Sequence, residues 1–176
     1  MRIIAGTLKG RRLQAPESDA VRPTADRARE ALFSILQQWP RGPFLDLYAG
    51  TGAVALEALS RGYGPVSCVE KDPAALACLR ANARGADLRV LPQDVRKLGP
   101  DAFQGLAVLF ADPPYAAAAE AFALLAPRFA AWLREDGVLV LEARAGTLLA
   151  EAPGLELLEV RKYGSAEFHF FQRKFS

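Results

Sequence analysis

The sequence predicts a doubly wound α/β fold: a mostly parallel, seven-stranded sheet that ends in an antiparallel hairpin, with a small N-terminal β-hairpin extension. Three observations predict it. Apolar runs of strand length alternate five times with helical stretches, the pattern of consecutive β-α units whose crossovers keep strands parallel. A glycine-bearing turn, Ala49-Gly50-Thr51-Gly52-Ala53, joins the first of those strands to its helix. The last two apolar stretches meet at Gly164-Ser165, a spacing that suits a hairpin rather than a crossover.

With 176 residues, 51% of them hydrophobic and 24% charged, the chain is long enough to bury a substantial core and ordinary enough to be globular. No apolar run is long enough to span a membrane and no signal-peptide stretch opens the chain, so a cytoplasmic location is expected. Cys68 and Cys78 have no neighbouring Cys or clustered His, which predicts reduced thiols and no metal site. Charge is uneven: residues 1–29 hold seven Lys/Arg against three Asp/Glu, a net +4, and the remainder is −2. A basic segment of this kind suits a polyanion.

Taken in order, residues 2–6 and 9–13 read as two short strands of a cationic hairpin carrying Arg2, Lys9, Arg11 and Arg12. A polar loop follows from Pro16 to Val21. Thr24 is placed to cap a helix running to about Trp39, whose apolar face comprises Ala28, Ala31, Leu32, Ile35 and Leu36. Arg22, Arg27 and Arg29 crowd its start, the wrong sign for a helix N-terminus, which points to a ligand-facing role. Residues 1–23 are therefore expected to form a basic arm and 24–176 the α/β domain. Residues 43–48 form the next strand, followed by the glycine turn and a helix over about 54–61. Val66 to Glu70 is a strand; Asp72 caps a helix with Pro73 in its first turn, ending near Ala83. Strands follow at 88–91, 106–110 and 137–142, with an alanine-rich helix over 116–133 between the last two. A weaker helix is expected over 147–152, then strands at 155–163 and 166–171. His169, the single histidine, sits among phenylalanines and reads as structural.

Open α/β sheets bind ligands outside the carboxyl ends of their strands. Four acids fall there: Asp46, Glu70, Asp94 and Asp112. Gly50-x-Gly52-x-x-Ala55 formally matches a dinucleotide turn, and Glu70 lies twenty residues after Gly50, the spacing of a ribose-gripping carboxylate. Asp46, four residues before Gly50, favours an ammonium group and is poor company for a pyrophosphate. S-adenosylmethionine fits better than a nicotinamide: methionine on the glycine turn, ribose on Glu70, adenine near Asp94. The cofactor set is Asp46, Tyr48, Ala49, Gly50, Gly52, Glu70, Lys71, Asp94 and Val95. The rim Asp112-Pro113-Pro114-Tyr115 ends a buried strand. Its prolines stiffen the chain, and carbonyls that accept without donating suit an exocyclic amino group of a nucleobase. Asp112 and the Pro113 carbonyl can hold the two amino hydrogens while Tyr115 stacks on the base.

The core resembles the class I, Rossmann-like S-adenosylmethionine-dependent methyltransferases, and Asp112-Pro-Pro-Tyr115 resembles their amino-methylating motif. Almost the whole chain resembles the bacterial RsmD-type small-subunit rRNA (guanine-N2)-methyltransferases. The matching stretches are residues 2–6, Lys9-Gly10-Arg11, Arg22-Pro23-Thr24, Asp26-Arg27, Arg29-Glu30, 45–52, 56–62 and 112–115. The resemblance implies methyl transfer to a single guanine of 16S rRNA, guanine 966, met on an assembling 30S particle by a monomeric enzyme with no metal and no membrane contact. It implies substrate contacts from Arg2, Lys9, Arg11, Arg12, Arg22, Thr24, Arg27, Pro114 and Tyr115, with Arg29 also near RNA phosphates. Ala116 to Ala119 departs from relatives, which often carry charges there. The alternatives are an adenine-N6 or cytosine-N4 methyltransferase acting on DNA or RNA, a nicotinamide-dependent oxidoreductase, and a non-catalytic RNA-binding module.

Overall fold

The computed structural model describes residues 1–16, 23–114, 118–149 and 152–174. Seven strands form one sheet: β1 (Phe44–Leu47), β2 (Val66–Val69), β3 (Leu88–Leu91), β4 (Leu106–Ala111), β5 (Leu133–Arg144), β6 (Leu155–Tyr163) and β7 (Ala166–Arg173). Their spatial order is β3-β2-β1-β4-β5-β7-β6. The first five are parallel, and β7 runs antiparallel between β5 and β6. The chain reverses across the sheet between β1 and β4, which opens a crevice at their carboxyl ends.

Four helices cover the faces: α1 (Pro23–Leu36), α2 (Ala53–Ser60), α3 (Pro73–Asn82) and α4 (Ala118–Trp132). α1, α2 and α3 lie on one side, where Leu32, Phe33, Ala55, Ala58 and Leu79 pack on Phe44, Cys68, Val108, Phe110 and Phe168. α4 covers the other, with Phe122, Leu125 and Phe129 against Leu109, Leu139 and Phe171. β1 and β4 are buried throughout, as apolar runs without alternation require.

Helix starts follow local chemistry. Asp72 accepts the Ala75 amide at 2.8 Å and Pro73 opens α3. α1 begins at Pro23, one residue before the cap expected at Thr24, because proline's fixed φ suits the first turn. It ends at Leu36 rather than near Trp39; three residues of turn lead to Pro40, where a helix cannot continue. β5 starts four residues earlier than its apolar run, and its pairing with β4 shifts between Leu106 and Val108. Gly137 sits at that shift, where a Cβ would lie 2.5 Å from the Leu106 carbonyl oxygen.

Two expectations are corrected. No helix occupies the described part of 147–152. Thr147 instead donates through both its amide and its hydroxyl to the Arg144 carbonyl, closing a turn that carries Gly146 at φ 83°. Leu148 is 91% exposed while Leu149 packs on the core, so the segment buries single side chains rather than a helical face, and a helix that short does not persist on its own. The N-terminal hairpin is closed by one isolated bridge, Arg2 with Arg12, rather than by two strands. The amides of Ile3, Gly10 and Leu13 still bond within the segment, to the carbonyls of Arg11, Ile3 and Met1, but others are spent elsewhere. Those of Ile4 and Ala5 donate to the Glu57 carboxylate at 2.9 and 3.1 Å, and that of Leu8 donates to Ser60 Oγ at 2.9 Å. Ile3 and Leu13 pack on Leu56, so the segment is strapped onto α2.

Candidate active site

The crevice is built where four parallel strands end. β1 runs into Tyr48, which holds φ 60°, then Gly50 at 55° and Gly52 at 80°, so the backbone turns sharply into α2. Left-handed backbone at a non-glycine residue is strained and concentrates at functional sites. Asp46, 1% exposed, points under this turn and accepts the Ala55 amide at 3.1 Å. Glu70, after β2, accepts the Gly50 amide at 2.7 Å and the Lys71 and Asp72 amides at 2.8 Å. It thereby fixes the glycine turn relative to the next strand. Asp112 follows β4, its amide directed at the Leu47 carbonyl.

Two lobes share Tyr48 and Asp112. One, of about 610 Å³, is lined by Glu70, Lys71, Gln93, Asp94, Val95, Pro113 and Pro114 among others. The second, of about 420 Å³, lies beneath α1 and includes Arg29, Asp46, Ala49, Gly50, Asp112 and Glu142. Both fall in the size range of small-molecule sites. Gly52 caps α2 from below, where an added Cβ would meet Leu79 at 3.2 Å. All the sequence-predicted cofactor residues but Gly52, which backs the turn against Leu79, therefore line the two lobes, with Asp112 at their junction.

The electrostatics are unusual. Burial, reinforced by the charges of Asp112, Glu70 and Glu142, raises the Asp46 pKa well above the ordinary carboxylate range. Asp112 opens to the crevice as a residue, yet the protein packed around its carboxyl pushes that group up to about 6. Glu142 is pushed up to about 8 by burial and then by Asp112. The pairing of Ala111 with Leu141 puts these two acids side by side at the ends of β4 and β5. Acids that disfavour one another's ionisation in a cleft are poised for a cation. Among the described residues no three His, Cys, Asp or Glu are arranged to hold a metal ion.

Asp94 behaves differently. It caps the short turn Val95–Lys97 and pairs with Arg96 at 2.7 Å and Lys71 at 3.3 Å. The hydrogen bonds from Arg96 hold its carboxyl far below the usual range. Its rim position is as expected, but both oxygens are already engaged. Tyr48 is half-buried, and burial together with the Asp94 charge raises its phenol.

The basic residues separate into groups. Arg2, Lys9 and Arg27 line a dip of about 280 Å³ with Asp26 and Glu30. Arg11 instead donates to the Arg84 carbonyl at 2.7 Å, and Arg12 is exposed. Arg29 does not face a phosphate: it is 5% exposed, because the helical period turns it inward beside Leu32 and Phe33. Arg22 and Tyr115, and the side chain of Thr24, lie outside the described residues. Sequence reasoning passed over Glu142, although an acid closing an apolar strand is the same signal that singled out Glu70 and Asp112.

Comparison with known proteins agrees with this architecture. The family model described as conserved hypothetical protein 95 matches residues 1–172. Ribosomal RNA small subunit methyltransferase D of Escherichia coli K12 is 32% identical over 186 residues, spanning 99% of this chain and 90% of that protein. The Haemophilus influenzae protein of the same name is 28% identical, over 98% and 93% of the two chains. The solved structure of a hypothetical protein from Thermus thermophilus superposes with a TM-score of 0.83 at 36% identity, covering 97% of this chain and 98% of that one. By sequence, fold and the full length of the match, the chain belongs to the family of the ribosomal RNA small subunit methyltransferase D proteins.

Proposed function

We propose that this protein transfers a methyl group from S-adenosylmethionine to the exocyclic N2 of a guanine in small-subunit rRNA, guanine 966 if the family resemblance of its motifs extends to the target. The observation that carries the reading is the acidic crevice: Asp46, Asp112 and Glu142 line one lobe, and their mutual repulsion is relieved by a cation. S-adenosylmethionine brings two, an ammonium and a sulfonium. A nicotinamide cofactor brings a pyrophosphate, which these acids repel.

When bound, S-adenosylmethionine supplies an electrophilic methyl carbon. The residues of this chain do the rest. Glu70 would hold the ribose, and Val95 and Asp94 in the larger lobe would hold the adenine end. Asp112 and the Pro113 carbonyl accept the two amino hydrogens of the guanine and draw the nitrogen lone pair out of conjugation. With S-adenosylmethionine bound, that lone pair would form the new N–C bond and the methyl's C–S bond would break, leaving its electron pair on sulfur. The methylated nitrogen then loses one proton to Asp112 or to water. Flipping the base out of its stack costs a few kcal/mol, which phosphate contacts from residues 1–23, including Arg2 and Lys9, and from Arg27 offset. Tyr115 is assigned to stack on the guanine.

The test is transfer of labelled methyl to small-subunit rRNA from cells lacking the gene, with the modified nucleotide mapped. Label on guanine N2 supports the reading; label on adenine or cytosine, or on DNA alone, overturns its specificity. Binding of NADH in place of S-adenosylhomocysteine overturns the reading entirely.

A further inference from the structure

We propose that Arg29 is the receptor for the α-carboxylate of the cofactor's methionine end, an inference that rests on the reading of the crevice given above. The lobe beneath α1 is lined by three acids, Asp46, Asp112 and Glu142, and among the described residues Arg29 is the one cationic side chain on its wall. An amino-acid zwitterion entering that lobe has one place for its ammonium and another for its carboxylate. The acids repel the carboxylate, so it turns to Arg29.

The guanidinium is prepared for this. Arg29 is 5% exposed and cannot swing out to solvent. Its Nη2 donates to the Arg2 carbonyl at 2.6 Å and to Asp26 Oδ1 at 3.0 Å. Its Nε lies 3.5 Å from Glu57 Oε2 and makes no hydrogen bond. Nη1 donates to no acceptor among the described residues, which leaves that edge of the fork for a ligand. Asp26, Glu57 and the Arg2 carbonyl hold the cation in one orientation, so little side-chain freedom is lost when a carboxylate arrives.

The competing role is structural: Arg29 ties the N-terminal segment to α1 and α2 and touches no ligand. Ligand truncation separates the two. S-adenosylhomocysteine and its decarboxylated counterpart, which keeps the amine and lacks only the carboxylate, are titrated into the wild type and into Arg29→Gln by calorimetry. The wild type is expected to prefer the carboxylated ligand by about tenfold or more, the scale of one charge-assisted hydrogen bond. Arg29→Gln is expected to lose that preference while binding the decarboxylated ligand as the wild type does. A variant that weakens both ligands equally, keeping the preference, overturns the proposal and leaves Arg29 structural. Should Arg29→Gln not fold, the wild type still decides. Its buried guanidinium ¹⁵N signal shifts with S-adenosylhomocysteine and not with the decarboxylated ligand, and equal shifts or none overturn the proposal. If the wild type binds neither ligand, the failure lies with the cofactor reading itself.

Discussion

Asp46 and Glu57 are both buried carboxylates, 1% and 0% exposed, and only eleven residues separate them. Glu57 is saturated. It accepts two amides from the N-terminal segment, pairs with Arg61 at 2.8 Å, and has Arg29 at 3.5 Å. Asp46 accepts one amide, that of Ala55, and otherwise faces the repulsion of Asp112, Glu70 and Glu142. A buried charge with every partner in place fastens structure together. One left among like charges marks a place where something cationic belongs.

The sharpest way to break this contrast lies beside Asp46. Asp112→Ala removes the acceptor for the amino group while leaving the glycine turn intact. Methyl transfer is expected to fall by about 10²–10⁴-fold, with affinity for S-adenosylhomocysteine nearly unchanged; near-normal turnover removes the assigned role.

Next in size is Glu57→Ala. It leaves Arg29 and Arg61 without their ion-pair partner and two amides without their acceptor, and is expected to cost about 3–5 kcal/mol in chemical denaturation. Asp46→Asn, at the same depth, is expected to change apo stability by less than about 1 kcal/mol, since the amide oxygen still accepts from Ala55 and a repulsion is relieved. Its cost appears instead as weaker cofactor binding. Equal destabilisation by the two variants would erase the distinction drawn here.

A pH series sharpens it further. The crevice acids hold protons more tightly folded than unfolded, Asp112 up to about 6 and Glu142 up to about 8. Between about pH 4 and 8 the folded chain therefore binds more protons, and apo stability falls as pH rises through that window. A cationic ligand reverses the preference, so affinity for S-adenosylmethionine rises with pH over the same range. Calorimetry at several pH values in buffers of different ionisation enthalpy checks this; flat affinity with no proton release places the acids away from the cation.

The smallest effect belongs to the surface. Lys9 and Arg27 are exposed and share one dip, so Lys9→Ala with Arg27→Ala is expected to leave folding and cofactor binding alone. RNA affinity falls, and the slope of its logarithm against log salt flattens by about 0.7 per lost phosphate contact. An unchanged slope makes these residues an ordinary charged surface.

Short-range pattern carried much of the architecture. Strand-length apolar runs, Asp72-Pro73 and Gly164-Ser165 are signals spanning a few residues, and the elements they predict are present. The exceptions have physical causes. At Thr147 the amide and hydroxyl close a turn on the Arg144 carbonyl instead of opening a helix, and three N-terminal amides were claimed by Glu57 and Ser60, more than fifty residues away. The site divides in the same way. That Asp46, Glu70 and Asp112 lie at strand ends was legible, because burial of a strand and the switch-point rule follow from pattern alone.

Local pattern sufficed to say which residues become strands and helices, and hence which acids stand at the crevice edge. Which charges meet depends on the folded packing. Arg29 reads as one more cation in a basic segment, yet packing turns it inward, between Glu57 and the lobe that holds Asp46. Glu142 becomes the neighbour of Asp112 through the β4–β5 register. Periodicity acts over a turn or a strand, whereas the environment of a charge is set by whatever part of the chain lands beside it, and no local pattern encodes that neighbour.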